Sequence, residues 1–392
     1  MLTNTDVIIL GGGCAGLSLA MRLADLRERG PRAVVIESRT RYTNDRTWCF
    51  WGTGSARLSH LVRHRWKTVS LATGERRVTV DCRATPYQMI PAEVFYTAAV
   101  EAIAETPRVE LAMGETITSE PRKDGDLWRI ETTAGQRCAK MIVDTRPGRR
   151  PERGAASLWQ SFSGQEIECD AARFDPDSAT LMSFLPTRNG RTSFLYVLPV
   201  SSHRALVEAT VFSPDPLGPR DLAGELEAGL ARQVGGAGFS VLRSEHGILP
   251  MGLPAPAPSL DVSHVRAGVA AGGARAASGF AFQRIQRWAD ACAEALAAGR
   301  PPVAHLPDPW RMRAMDGLFL RVLRARPALV PDLFLALFAM RNPARIVRFM
   351  SDCATFSDCA TIALALPAWP FLREIPGGLA GRALAPAGGR SG

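Results

Sequence analysis

Asp6-Val7-Ile8-Ile9-Leu10-Gly11-Gly12-Gly13-Cys14-Ala15-Gly16-Leu17 opens the chain with an apolar run that breaks into a glycine turn, and this stretch decides the fold. Val7 to Leu10 read as a buried strand. Beyond the turn, Leu17, Leu19, Ala20, Leu23, Ala24 and Leu26 recur near helical spacing, and Ala33-Val34-Val35-Ile36 reads as a second strand. Strand, glycine turn, helix and strand make a βαβ unit, which predicts a parallel sheet with a ligand at its carboxyl edge. Gly11, Gly13 and Gly16 hold the G-x-G-x-x-G spacing. Their tasks are a tight turn, close backbone approach to a pyrophosphate, and close helix–strand packing. The helix amino end then offers free N–H groups and partial positive charge to phosphates. Glu37 closes the second strand, placed to accept hydrogen bonds from ribose hydroxyls, so the unit predicts dinucleotide binding.

Working outward, two later segments select FAD over a nicotinamide dinucleotide. Val143-Asp144-Thr145-Arg146-Pro147-Gly148 ends a strand in polar and turn residues, which makes Asp144 a cofactor-binding candidate. The run from Gly268 to Gly279 is a second glycine-rich junction between strand and helix, and Gly272, Gly273, Arg275 and Gly279 are its candidate contacts. An extended flavin cofactor needs such a junction far from its adenine end, and the loop offers N–H groups to the flavin ring. Strand-like runs at Ser193–Pro199 and Ala205–Phe212 predict an antiparallel substrate lobe. The expected division is a discontinuous cofactor domain over 1–150 and 240–300, a β lobe over 151–239, helices over 301–376 and a disordered tail over 377–392.

Composition narrows the class. With 392 residues, 46% hydrophobic and 22% charged, the chain can bury a large core. The formal charge of +9 favours polyanions, and without a recognisable nucleic-acid module the expected partner is an anionic membrane surface rather than nucleic acid. The eight cysteines form no C-x-x-C and the six histidines are scattered, so no metal site is expected and the thiols read as small buried groups in a reducing compartment. No run suits a signal peptide or a spanning helix, so the expected location is the cytoplasm, with peripheral membrane association.

Several segments together resemble the bacterial FAD-dependent lycopene cyclases, within the wider group of aromatic hydroxylase and geranylgeranyl reductase flavoproteins. Asn44-Asp45-Arg46-Thr47-Trp48-Cys49-Phe50-Trp51 is similar to that family's Thr-Trp box after the second strand. Phe194-Leu195-Tyr196-Val197-Leu198-Pro199-Val200-Ser201 and Ala205-Leu206-Val207-Glu208-Ala209-Thr210 resemble its strands in the substrate lobe. Gly247–Pro250 and Gly272–Phe280 resemble later boxes. Two departures stand out: Ala209 follows the glutamate where the family commonly has Asp, and Arg275-Ala276-Ala277-Ser278-Gly279-Phe280 replaces an Arg-Pro-Thr-Thr-Gly-Tyr pattern. The implied fold is a Rossmann-type α/β flavoprotein with an antiparallel β substrate lobe and a helical C-terminal region.

The resemblance implies a non-redox cyclisation of the ends of lycopene to β-ionone rings, giving γ- and β-carotene. Reduced FAD would stabilise the carbocation, with NAD(P)H as its reductant. It also implies that Glu208 is the acid–base residue. The residues agree in one respect, since an apolar run around Glu208 predicts burial, and desolvation keeps a carboxyl neutral and able to donate a proton. Trp48, Phe50, Trp51, Phe194 and Tyr196 are candidates for lining a polyene tunnel, core packing being the alternative for each. Arg46 and Arg275 are candidates for flavin or phosphate contact. Residues 317–350 mix Leu, Phe and Val with Arg321, Arg324, Arg326, Arg341, Arg345 and Arg348, which suits a membrane interface or a helical cap. The rival functions are a flavin monooxygenase or prenyl reductase of the same fold, and a non-catalytic carotenoid-binding flavoprotein.

Overall fold

The computed structural model describes residues 5–52, 56–74, 76–148, 154–187, 190–254 and 260–380. Its helices are α1 (Cys14–Asp25), α2 (Ala92–Ala104), α3 (Ala223–Val234), α4 (Phe282–Ala297), α5 (Trp310–Ala325), α6 (Val330–Phe338), α7 (Pro343–Met350), α8 (Phe356–Ala365) and α9 (Ala368–Ala380). The first sheet is seven-stranded, in the order Val109–Met113, Ala33–Glu37, Thr5–Leu10, Gly135–Asp144, Leu127–Thr132, Arg122–Asp124, with His264–Arg266 beside Gly135–Asp144. Thr5–Leu10 lies between two parallel neighbours, so its side chains are covered on both faces and the continuous apolar run follows. Helix α1 packs against α2 and α4. Leu17, Leu19, Leu23, Phe95, Ile285 and Trp288 fill the core they share with the sheet.

The second sheet is also seven-stranded: Phe239–Met251, Leu158–Cys169, Arg204–Ser213, Thr192–Pro199, Ser178–Phe184, Thr68–Thr73, Arg76–Asp81. Residues 68–81 and 240–251, expected from the sequence in the cofactor domain, lie in this second sheet. The reason is pairing: Phe239–Met251 runs antiparallel along the whole of Leu158–Cys169, and Thr68–Thr73 adds parallel to Ser178–Phe184. Strand alternation sorts the two faces. Leu195, Val197, Ala205, Val207 and Ala209 pack with Leu226 and Leu230 of α3, while Phe194, Leu198, Leu206 and Phe212 turn to the opposite side with Leu333, Phe334 and Phe338 of α6. Glu208 shares the parity of that second set.

A three-stranded sheet, Thr47–Trp51, Tyr87–Pro91 and His64–Trp66, adds a third strand group. Helix α9 runs through Ala380, into the segment expected to be disordered, and residues 381–392 lie outside the described residues.

Candidate active site

The glycine turn has the geometry its spacing predicts. Gly11 adopts φ +93° and donates its N–H to the Ile36 carbonyl at 2.9 Å. A Cβ on Gly16 would lie 2.0 Å from the Gly11 carbonyl oxygen, so α1 can approach the strand this closely only without a side chain. A Cβ on Gly13 would meet nothing within 4 Å, leaving the helix start open. No side chain caps α1 and no acidic residue lies in its first turn, so its positive end is available to an anion. Glu37 is buried and accepts from Gly12 N–H at 2.8 Å and Arg39 N–H at 2.8 Å. Burial acts to raise its carboxyl pKa, but the hydrogen bonds from Arg39 and Gly12 outweigh that and hold it below its ordinary value.

The other cofactor candidates divide. Gly272 (φ +87°) and Gly279 (φ +71°) bend the late junction in conformations that favour glycine, and a Cβ on Gly273 would lie 2.6 Å from the Gly268 carbonyl oxygen. His305 Nε2 accepts from Gly268 N–H at 3.0 Å, and burial pushes the His305 pKa down to about 4, which keeps the ring a neutral acceptor. Arg46 borders the cavity described below and donates to the His246 carbonyl. Asp144 is taken up by Arg146, which holds it through Nε and Nη2, both at 2.9 Å. Arg275 is engaged likewise: it is buried on Asp316 of α5, at 3.2 and 3.0 Å, with its guanidinium 4.0 Å over the Phe349 ring.

A cavity of about 740 Å³ reaches from Gly13 and Cys14 at the start of α1, past Trp48 and Tyr96, to Phe334, Phe338 and Phe371 of the C-terminal helices and Leu366 between α8 and α9. Trp48, Trp51, Phe194 and Tyr196 line it, and Phe50 does not. The period of two explains the exception. In Thr47–Trp51, residues 47, 49 and 51 face the second sheet, whereas Phe50 faces α4 and stacks on Phe282 with ring centres 5.2 Å apart. Trp48, on the Phe50 side, meets both Phe282 at 5.6 Å and the cavity.

Glu208 sits in the wall of this cavity. Its register row crosses four strands as Tyr196, Glu208, Gly164 and Glu245. It is buried, and its Oε1 has no hydrogen-bond partner. Burial, and then the charge of Glu245 beside it, push the Glu208 pKa well above the ordinary carboxyl range, while Arg243 and Arg46 pull weakly the other way. Tyr196 shares a hydrogen bond with Tyr87, hydroxyl to hydroxyl at 2.8 Å. Burial raises both phenols, so they remain neutral. The result is a carboxyl whose burial favours the uncharged form, with one oxygen free of hydrogen bonds, in the wall of a mostly apolar cavity that reaches the start of α1.

A sequence model of the family described as lycopene cyclase protein matches residues 6–375. The chain belongs to the lycopene cyclase family. It is 28% identical over 309 residues to a lycopene beta-cyclase of a Paracoccus species, covering 74% of this chain and 73% of that protein. A lycopene beta cyclase of Synechococcus elongatus is 25% identical over 312 residues, covering 75% and 72%. Among solved structures, p-nitrophenol 4-monooxygenase from Pseudomonas putida superposes with TM-score 0.62 at 18% identity, covering 97% of this chain and 98% of that one. A geranylgeranyl bacteriochlorophyll reductase-like protein from Thermoplasma acidophilum gives 0.57 at 13% identity, covering 95% and 98%. These two share the fold.

In this lycopene cyclase family member, sequence reasoning passed over Glu245, Arg243, Thr47 and Gly164 as functional residues. Glu245 accepts from Thr47 Oγ1 at 2.6 Å and is ion-paired with Arg243, whose Nη2 also donates to Thr47 at 2.8 Å. The one sequence signal was a carboxylate two residues before the quoted Gly247–Pro250 box.

Proposed function

We propose that the protein is a lycopene beta-cyclase, closing β-ionone rings at the ends of lycopene by acid–base chemistry without net oxidation. The observation that carries this reading is Glu208, buried in the wall of a mostly apolar cavity with Oε1 free of hydrogen bonds, where burial favours its protonated form. Protonation of a terminal double bond creates a carbocation, an internal double bond closes on it, and loss of a ring proton leaves the cyclohexene. Glu208 is the group that gives the proton and takes one back. The lining aromatic rings Trp48, Trp51, Phe194 and Tyr196 hold the polyene and keep water from the cation.

FAD is the proposed cofactor, kept reduced by NAD(P)H. The residues fit it: the open side of Gly13, the uncapped start of α1 and buried Glu37 suit a dinucleotide diphosphate and ribose. Gly11 and Gly16 shape the turn, and Arg46, Gly272, Gly273 and Gly279 would hold the flavin end. Asp144 and Arg275 serve instead by fixing the loops they close. Bound reduced flavin supplies negative charge, which favours a developing cation in a dry site.

The membrane contact lies on α8 and α9. No helix among the described residues is long and apolar enough to cross a membrane. The apolar side chains of 317–350 turn inward, Leu320, Leu333 and Leu337 being buried, and Arg345 and Arg348 both pair with Asp358. Exposed apolar groups cluster later: Phe356 is 76%, Leu364 86%, Trp369 62% and Leu372 56% exposed, with Trp310 at the start of α5 at 76%. Leu372 and Phe371 also line the cavity, so this face leads into the site and suits extraction of a carotenoid from lipid.

Pigment analysis after co-expression with a lycopene-producing pathway tests the function. A product isomeric with lycopene supports it, and unchanged lycopene beside a soluble, FAD-loaded protein overturns it. Replacing Trp369 and Leu372 by Ser should weaken flotation with anionic vesicles; unchanged flotation removes the assigned face.

A further inference from the structure

Gly164 lies between Glu208 on one neighbouring strand and Glu245 on the other, directly opposite both. A Cβ on Gly164 would sit 2.4 Å from Glu208 Cγ, so the missing side chain makes the space in which the two carboxyl groups meet. Both glutamates are buried, at 6% and 5% exposure. Their surroundings are unequal. Glu245 is held by Thr47 Oγ1 at 2.6 Å and by Arg243, which also pairs with Glu166. Glu208, which lines the cavity, leaves Oε1 without a partner beside Gly164.

We propose that Glu245 is the positioning partner of Glu208, the two carboxyl groups holding one proton between them across Gly164. This rests on Glu208 being the acid–base group of the cyclisation. Glu245, fixed by Arg243 and Thr47, accepts the Glu208 hydroxyl and orients it, and its negative charge makes the Glu208 carboxylate a strong enough base to recover a proton. The balance closes without an oxidant or reductant. The Glu208 O–H bond breaks with its electron pair left on oxygen, and a terminal alkene π pair forms the new C–H bond. An internal π pair forms the ring C–C bond. A ring C–H bond then breaks, its pair becomes the ring double bond, and the proton returns to the carboxylate.

The groups facing the pair fit this cycle. From the Thr47–Trp51 strand and the residue before it come Cys49 and Arg46, from Tyr87–Pro91 comes Tyr87, and from Thr192–Pro199 comes Tyr196. Leu158–Cys169 contributes Glu166, which Arg204 and Arg243 bind, and Phe239–Met251 contributes Arg243 itself. Burial raises Cys49, Tyr87 and Tyr196, so all three stay neutral. Arg243 and Arg46 are then the charges that steady the pair while the proton is on the substrate.

The test is the pH dependence of cyclisation by the full-length, FAD-loaded, reduced protein acting on lycopene in vesicles, with the protonated-carboxyl infrared band titrated in parallel. Glu245→Gln removes the neighbouring charge. Its alkaline limb should fall by at least about one pH unit, with the infrared band lost at correspondingly lower pH. Glu245→Asp, which keeps the charge, should bring both back toward the wild-type position. Should Glu245→Gln fail to load FAD, Thr47→Val strips one hydrogen bond from Glu245 and should move the limb upward instead. An unmoved limb and band in the variant that loads FAD overturn the pair. Glu208→Gln separates the two readings: if it is inactive while Glu245→Gln keeps the wild-type profile, only the pair fails. If Glu208→Gln still cyclises, the acid–base reading beneath it fails.

Discussion

Replacing Gly164 by alanine should damage the protein where strand propensity says it should help. Glycine weakens a strand interior, so Gly→Ala in Leu158–Cys169 would ordinarily be neutral or mildly stabilising. Here the new methyl would lie 2.4 Å from Glu208 Cγ and 3.2 Å from both its Cβ and Oε1. Ordinary carbon contacts are about 3.5–4.0 Å, so something must move by roughly 1 Å. If the side chain moves, the off-rotamer cost is about 0.5–1.5 kcal/mol; if the strands part, overpacking costs about 1–3 kcal/mol. Either way the acid leaves its position, and a misplacement of about 1 Å costs roughly 100-fold in rate. The assays are denaturant unfolding of the FAD-loaded protein and the initial rate of lycopene conversion. The expected result is a folded, FAD-loaded variant destabilised by about 0.5–3 kcal/mol with activity down about 100-fold. Wild-type stability and rate would refute the position assigned to Glu208.

Three further outcomes follow from the same geometry. Gly16→Ala puts a Cβ 2.0 Å from the backbone oxygen of Gly11, so purified protein should lose its flavin absorbance; full loading would contradict the close approach of α1. Asp316→Ala removes the nearer carboxylate from buried Arg275, leaving Asp352 at 3.9 Å, and should cost up to about 3–5 kcal/mol in thermal or denaturant unfolding, most of it recovered when Arg275→Met is added. Glu208→Gln should stabilise the protein increasingly with pH. A carboxyl whose folded-state pKa is raised binds more protons folded than unfolded, so its favourable contribution is present below the unfolded value of about 4.3 and declines as pH rises toward the folded one. The variant's advantage should therefore grow by up to about 1.4 kcal/mol per pH unit above that value, and a pH-independent difference would show that Glu208 is ionised in the folded protein.

Much of this was legible in the sequence because local pattern and tertiary role coincided. The apolar run before Gly11 is continuous because both faces of that strand are covered. Glu208 stood out as a lone charge in a run whose two faces meet α3 and the cavity. What stayed hidden depended on register or on distant partners. Glu245 gains meaning only through Gly164, which brings two separate strands to one row. Arg275 showed its charge in the sequence but not its partner Asp316, 41 residues further on α5. Phe50 and Trp51 look alike in sequence, yet one residue of strand register sends Phe50 into the core against Phe282 and Trp51 to the cavity. In the Arg-rich stretch the composition was legible but not which way it faces: buried apolar residues such as Leu320, Leu333 and Leu337 turn inward, and the exposed apolar groups of α8 and α9 lie further along.

The central claim is that Glu208 exchanges a proton with an acyclic carotenoid end without net redox. The most direct measurement is the product mass from reduced, FAD-loaded protein acting on lycopene in deuterated water, with Glu208→Gln beside the wild type. Under single-turnover conditions, with the carboxyl first equilibrated in deuterated water, the account predicts one solvent deuterium for each ring closed by the wild type, no added oxygen or hydrogen pair, and no product from the variant while it retains FAD. Cyclisation by Glu208→Gln, or a wild-type product that has gained oxygen or two hydrogens, would contradict it.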